Sequence, residues 1–508
     1  MTKKKNYTTL YPHERYVESP YYHDNPFTDK ETATIDLPTF EIVRDKLPQP
    51  HWVGNDTAIE AYWKAWELAF KNLKNPTAES GFVSPFIDTA FNDCIFMWDS
   101  AFILQFGRYG QRIFNFLGTF DNFYAKQHPD GFICREIGYD KGDDRFARMD
   151  TGSTGPNVLA WVEWEYFQHF GDVKRLEEVF APLVAYHRWT REYRTWRDGA
   201  YWSTGWATGM DNQPRIEGGS NNEQHKLHAH QVWLDATLQA ILSARMLLNI
   251  AGVIGRIHEL HDMAGEAAYL TRYVNKLMWD EYSAFYYDLS RDGNWTQVKS
   301  IGAYWGLLAE VVPEDYLERF IEHLDAPDRF KRPHRIPSLS ADHHAYADDG
   351  QYWRGGVWAP TNYMVLRGLT GVGKDKLAHE IAMNHLANVL VLYEDTGTFW
   401  ENYAPEFPDR GNPAKPDFVG WSGLAPITVL IEYVFGIRAD VPNNTITWDV
   451  RLTDEHGIRQ YPFGTGGIVN LQCEARDNTS AEPIIRADST IPLTLIVKWA
   501  DGEKEINL

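Results

Sequence analysis

The stretch Trp233-Leu-Asp-Ala236-Thr-Leu-Gln-Ala240-Ile241-Leu-Ser-Ala244-Arg-Met-Leu247-Leu248-Asn-Ile-Ala251 decides the architecture. Its apolar residues Trp233, Ala236, Ala240, Ile241, Ala244, Leu247, Leu248 and Ala251 return at steps of three and four, the period of one helical face. Leu377, Ile381, Leu386, Val389, Leu390 and Tyr393 repeat the pattern. Segments near 61–73, 99–125, 156–170, 173–194, 356–369 and 421–435 do so too. Long loops rich in Gly, Asp, Trp and Pro separate them, at 127–155, 199–229, 331–355 and 395–420. Loops of that length in a compact domain usually carry function. The expectation is a helical toroid with its site at the loop end.

Outward from this body the character changes twice. Residues 1–55 carry many prolines and polar aromatics without a helical period, and are read as an irregular arm. The helical body is placed at 56–437. Beyond it, Thr445-Ile-Thr-Trp-Asp-Val450 and Ile491-Pro-Leu-Thr-Leu-Ile-Val497 alternate as strands do, so 438–508 is expected to be a small β-rich unit.

A chain of 508 residues exceeds the usual single core, although a toroid can absorb that length. The net charge of −21 argues against a nucleic-acid partner, because polyphosphate would be repelled. Lys3-Lys4-Lys5 is read as a solvated terminus. No apolar stretch follows it, and no run reaches the ~18 apolar residues of a membrane span. Neither a leader nor an anchor is expected, and the location is read as cytoplasmic. Cys94, Cys134 and Cys473 are scattered and odd in number, which fits a reducing compartment and forms no metal cluster. The 20 Trp, 27 Tyr and 26 Phe often stand beside Asp, Asn, Arg or Glu. That mixture suits a ligand with C–H faces and hydroxyl edges, a sugar, although a large aromatic core has the same composition.

Two other features carry no chemistry on this reading. Gly368-Leu-Thr-Gly-Val-Gly373-Lys374 has phosphate-loop spacing, but Asp375 follows where Ser or Thr would ligate magnesium. A helix end followed by a new helix explains it. The acidic run Asp140-Lys-Gly-Asp143-Asp144 is read as solvated charge. No metal and no organic cofactor are expected.

Carboxylates in aromatic loops remain. In Tyr201-Trp-Ser-Thr-Gly-Trp-Ala-Thr-Gly-Met-Asp211-Asn212-Gln-Pro-Arg215, Asp211 follows a glycine-containing turn. Beside Trp206 and Met210 its carboxyl would lose hydration and hold its proton more tightly, as a general acid must. A helix-capping or turn role explains it equally well on local sequence. In Phe399-Trp400-Glu401-Asn402-Tyr403, Glu401 could hold a water, or form a salt bridge. Tyr352-Trp353-Arg354-Gly355-Gly356-Val357-Trp358 joins stacking rings to a fork of donors. Met97-Trp98-Asp99-Ser100 opens a helix, where Asp99 could also be a cap.

At these residues the chain resembles the trehalase-like inverting α-glycosidases, glycoside hydrolase families 37 and 63, and above all the mannosylglycerate-hydrolase-like group. The resemblance runs from Asn92 to Gly436. Trp98-Asp99-Ser100 is similar to the signature whose Asp binds hydroxyls of the cleaved sugar. Gln127-His-Pro-Asp-Gly-Phe-Ile133 with Arg135-Glu136 is similar to a loop framing the same subsite. Gly209-Met-Asp211-Asn212 with Pro214-Arg215 resembles the general-acid segment, and Glu401-Asn402-Tyr403 the general-base segment. Tyr352-Trp353-Arg354-Gly355 and Val357-Trp358 match a signature in which Gly356 replaces a common proline.

The resemblance implies an (α/α)6 barrel, mainly α, and inversion at the anomeric carbon. An inverting pair stands roughly 6.5–9.5 Å apart to admit water. Trp98, Trp353, Trp358, Trp400 and Trp421 are candidate walls, and Arg215 and Arg354 candidate hydroxyl or carboxylate holders. The expected activity is exo-acting hydrolysis of a small α-glucoside or α-mannoside, with a small saccharide or glycoside as substrate, no nucleic-acid or membrane partner, and the oligomeric state left open. An inverting phosphorylase, a silent sugar-binding protein and a lyase or uronate-processing enzyme are the rivals.

Overall fold

The computed structural model describes residues 16–216 and 225–508. Lys3-Lys4-Lys5, the start of the arm and residues 217–224 of the loop expected at 199–229 lie outside the described residues. The body is built of α1 (Asp56–Lys71), α2 (Met97–Gly107), α3 (Gly118–Ala125), α4 (Leu159–Phe170), α5 (Val173–Tyr193) and α6 (Leu234–Val253). It continues through α7 (His261–Tyr273), α8 (Trp305–Leu308), α9 (Glu314–Asp325), α10 (Ala359–Gly371) and α11 (Asp375–Thr396). A 3-10 turn, Gly420–Leu424, then runs into a π-helix, Ala425–Val434.

Two kinds of helix alternate. Every residue of α2 and of the π-helix is buried, as expected of helices apolar all round. By contrast, α7 buries only Met263, Ala267 and Leu270, a single stripe. The enclosed helices touch in series: α2 packs on α4, α4 on α6, α6 on α8, α8 on α10, α10 on the 3-10 turn, and that turn on α2. The striped helices lean on them from outside, α5 on α4 and α6, α7 on α6, and α11 on α10 and the π-helix. Short links allow this. Asp172 caps α5 by accepting the Arg175 N–H at 3.1 Å, just after α4 ends. The glycine–lysine stretch is the turn from α10 to α11, with Lys374 N–H donating to Leu369 O at 2.8 Å.

Three expectations need correction. The helix expected over 99–125 breaks after Gly107, because Phe116 folds back to pack its ring on Trp66 and Phe70. Next, α6 is long and apolar enough to cross a membrane, contrary to the reading that no run is. It is a core helix, packed between α4, α5, α7 and α8. Finally, the arm is not wholly irregular. Gln49–Trp52 is a strand paired antiparallel with His456–Arg459 at the edge of a four-stranded sheet. Pro50 masks it in the sequence, yet at a sheet edge the missing N–H is harmless. That sheet continues through Gly467–Cys473 and Ile485–Ser489. A second sheet holds Ile437–Asp440, Thr445–Asp449, Thr494–Trp499 and Gly502–Asn507, with Thr445–Asp449 and Thr494–Trp499 parallel.

Candidate active site

The loops preceding the enclosed helices meet around a cavity of about 390 Å³, within the range of small-molecule sites. Trp98, Asp99, Arg135, Glu136, Trp206, Asp211, Tyr352, Trp353, Trp358, Glu401, Lys415 and Trp421 are among its walls. Trp353 and Trp358 stack face to face at 4.0 Å, and Trp421 meets Trp358 at 5.9 Å.

Trp98 and Asp99 come from the first turn of α2, whose N-cap position is Phe96. Asp99 Oδ1 and Trp98 Nε1 are buried without a hydrogen-bond partner. Burying such groups unsatisfied is costly, so polar atoms of this kind in a cavity wall mark where a ligand bonds. Burial also holds the Asp99 carboxyl well above the usual carboxylate range.

Asp211 follows the helical turn Gly205–Thr208, which Thr204 caps by accepting the Ala207 N–H at 3.2 Å. The capping role that local sequence allowed to Asp211 therefore belongs to Thr204. At Gly209 (φ +75°) a Cβ would stand 2.9 Å from the Trp98 indole, so only glycine lets this segment lie on Trp98. Asp211 is thereby brought to the wall beside Asp99. Its side chain is 30% exposed, toward the cavity, but is otherwise enclosed by protein. Burial pushes its carboxyl up to about 6, against the pull of the Arg135 guanidinium and with added push from Glu401 and Glu136.

Glu401 is buried, and its carboxylate accepts from the Tyr352 hydroxyl (2.9 Å, Oε1) and the Lys415 N–H (2.9 Å, Oε2). Its backbone N–H donates to Lys415 O at 3.0 Å, and Trp421 Nε1 donates to its carbonyl at 3.1 Å. Among the described residues no Lys, Arg or His side chain forms an ion pair with that carboxylate, whose bond to Lys415 is through the backbone N–H, so the salt-bridge alternative does not apply. Tyr352 sits in a tight loop where Gly350, Gln351, Tyr352 and Gly355 all have positive φ, the strain typical of functional sites. Asn212 ties that loop to Asp211, accepting the Trp353 N–H at 2.8 Å and donating to Gln351 O at 2.9 Å. At Gly356 a Cβ would meet Tyr352 O at 2.2 Å, so the loop requires glycine there. A hydrogen bond to a charged group is worth about 1.5–3 kcal/mol. Tyr352→Phe is therefore expected to lower kcat at least tenfold with an unchanged melting temperature.

Several expected site residues lie elsewhere. Gln127 is fully buried, donating to Gly131 O and Pro182 O and accepting from Asn25, and so pins its loop. Trp400 faces away from Glu401, as neighbours in an extended segment do. Its ring lies under Arg410, and Nε1 donates to Thr396. Asn212 and Arg354 do not line the cavity. Arg215 is 2% exposed and is held by Asp235 and Asp288 through four bonds of 2.6–2.9 Å. It can hold no substrate. Arg215→Ala would leave two buried carboxylates uncompensated and cost about 3–5 kcal/mol, to be read from denaturant unfolding. Asp144 is not a solvated charge; it is half-buried, 2.6 Å from His128 Nε2. Conversely, Phe91, Asn92, Phe146 and Lys415 line the cavity outside any motif singled out in the sequence. Trp206 stood in the quoted Asp211 segment and could have been found there.

Comparison with known proteins bears on this arrangement. The chain is 26% identical over 359 residues to an uncharacterized protein of Borreliella burgdorferi, covering 66% of this chain and 71% of that one. It is 26% identical over 285 residues to a probable mannosyl-oligosaccharide glucosidase of Schizosaccharomyces pombe, covering 50% of this chain. The match spans only 34% of that relative's length. Among solved structures, a family 63 mannosylglycerate hydrolase of Thermus thermophilus in complex with glucose superposes with a TM-score of 0.59 at 21% identity, over 72% of this chain and 99% of that one. Neutral trehalase of Saccharomyces cerevisiae superposes at 0.55 and 12% identity, over 69% and 74%. At these identities the likeness is one of fold. The profile described as the mannosylglycerate hydrolase MGH1-like glycoside hydrolase domain matches residues 95–422, well over half the sequence. The chain belongs to that family of glycoside hydrolases.

Proposed function

We propose that the protein is an inverting, exo-acting α-glycosidase of a small glucose- or mannose-configured substrate, with Asp211 as general acid and Glu401 as general base. One observation carries the reading: among the four carboxyls that line a single cavity, Asp211 and Glu401 stand in opposed environments. Burial raises the Asp211 carboxyl to about 6, so it holds its proton to a higher pH than an ordinary aspartate, while Glu401 is oriented by two donors. Such pairs divide acid and base roles. Asp211 gives its proton to the glycosidic oxygen as the bond to the anomeric carbon breaks. Glu401 takes a proton from the water that attacks the opposite face, and the configuration inverts. Asp99 Oδ1 accepts from one sugar hydroxyl, Trp98 Nε1–H donates to another, and the stacked Trp353 and Trp358 cover a C–H face. The closed series of five enclosed helices and the 3-10 turn that runs into the π-helix supports an (α/α)6 barrel. The Thermus thermophilus structures in complex with glucose, and with Tris and D-glycerate, support a small saccharide substrate.

A panel of α-linked disaccharides with NMR of the first-formed anomer tests the reading. A β-anomer released without phosphate is expected. An α-anomer, or release only with phosphate, overturns it.

A further inference from the structure

His225 belongs to none of the sequence motifs, yet its Nδ1 stands 4.0 Å from Asp211 Oδ2. That nitrogen is buried and has no hydrogen-bond partner. Its position is braced. The Trp206 N–H donates to His225 O at 3.1 Å, and the imidazole lies 5.8 Å from the Trp206 ring. The following residue is tied in turn, with Thr151 Oγ1 donating to Lys226 O at 2.7 Å and the Lys226 ammonium 5.1 Å over Trp206. A ring nitrogen buried without a partner is costly, and the carboxyl oxygen 4.0 Å away is a group that could satisfy it. The separation exceeds a hydrogen bond by about 1 Å, the looseness usual for a catalytic contact before substrate binds.

The charges around the pair agree. Burial and Lys226 hold His225 below the usual histidine range, which favours the neutral ring. Arg135, Glu136 and Glu401 also act on Asp211. A neutral imidazole with its hydrogen on Nδ1 can donate to one carboxyl oxygen. The acidic proton then resides on the other.

We propose that His225 is a positioning residue for the general acid: with substrate bound, its Nδ1–H donates to Asp211 Oδ2, and the transferable proton sits on Oδ1, facing the glycosidic oxygen. This rests on the reading of Asp211 as acid. No proton is gained or lost at His225. Asp211 Oδ1 loses one to the leaving alcohol and regains one from solvent after each turnover.

The test uses the leaving group. A disaccharide needs its departing oxygen protonated, whereas a glycosyl fluoride departs with far less help. His225→Ala is expected to lower kcat about tenfold, the worth of one such hydrogen bond, on the best disaccharide of the panel. On the α-fluoride of the same sugar the loss should stay under about twofold, since the same bond is not needed there. His225→Asn places an amide donor where Nδ1 was and should restore most of the disaccharide rate. Equal loss on both substrates, or an Asn variant as slow as Ala at an unchanged melting temperature, would overturn the proposal. Asp211→Asn run beside them separates the two readings. If it too shows no preference for the fluoride, the acid assignment itself fails; if it shows one and the His225 variants do not, only the positioning role is lost.

Discussion

Replacing Glu401 by Gln is expected to lower kcat by about 10²–10⁴-fold, the usual contribution of a positioned base, on every α-linked substrate that the protein hydrolyses. The amide fills the same volume and keeps one oxygen to accept from Tyr352 or the Lys415 N–H, which bond the carboxylate now. It cannot take a proton from water. KM and the melting temperature should change little, because the lost interaction is made only in the transition state. Azide, a small anion that attacks without deprotonation, should restore part of the rate and give the β-glycosyl azide from an α-substrate. Steady-state kinetics with product NMR decides the matter. Full activity in the Gln variant, or an α-azide, would remove Glu401 from the base role.

Asp211→Asn is expected to cost a comparable about 10²–10⁴-fold on disaccharides, with glycosyl fluorides spared. It should also change the pH profile. Activity needs Asp211 protonated, so kcat/KM of the wild type should fall as pH rises through about 6, and the Asn variant should lose that limb. Stability gives a second, independent reading. A carboxyl whose proton is held more tightly in the folded state than in the unfolded chain contributes stability below its unfolded pKa, lost as pH rises through the folded value near 6. Asp211→Asn should therefore melt at a higher temperature than wild type at pH 7 and show no such gain at pH 4. Calorimetry at the two pH values checks the sign. A variant less stable at pH 7 than wild type would mean that the buried carboxylate is well compensated and not poised as an acid.

Much of the helical body was legible because its signal is local. The three- and four-residue step of Trp233–Ala251 survives as α6, and the Leu377–Tyr393 pattern as α11. Where long-range packing competed, the local signal failed. Phe116 finds Trp66 and Phe70 and ends α2 early, and Gln49–Trp52 becomes a strand only because His456–Arg459 lies beside it.

In the candidate site the division is sharper. The sequence alone determined that Asp211 and Glu401 stand in aromatic, glycine-punctuated loops, since turn chemistry acts over a few residues. Only the tertiary structure decided which neighbours face the cavity with them. Arg215 was indistinguishable from a substrate holder until Asp235 and Asp288 were seen to neutralise it. Trp400 and Gln127 turned outward into the packing, while Phe91, Lys415 and His225 came to the carboxyls from segments with no motif. The physical reason is that the direction of a loop side chain is set by whatever packs behind it, and here those partners lie far away in the chain.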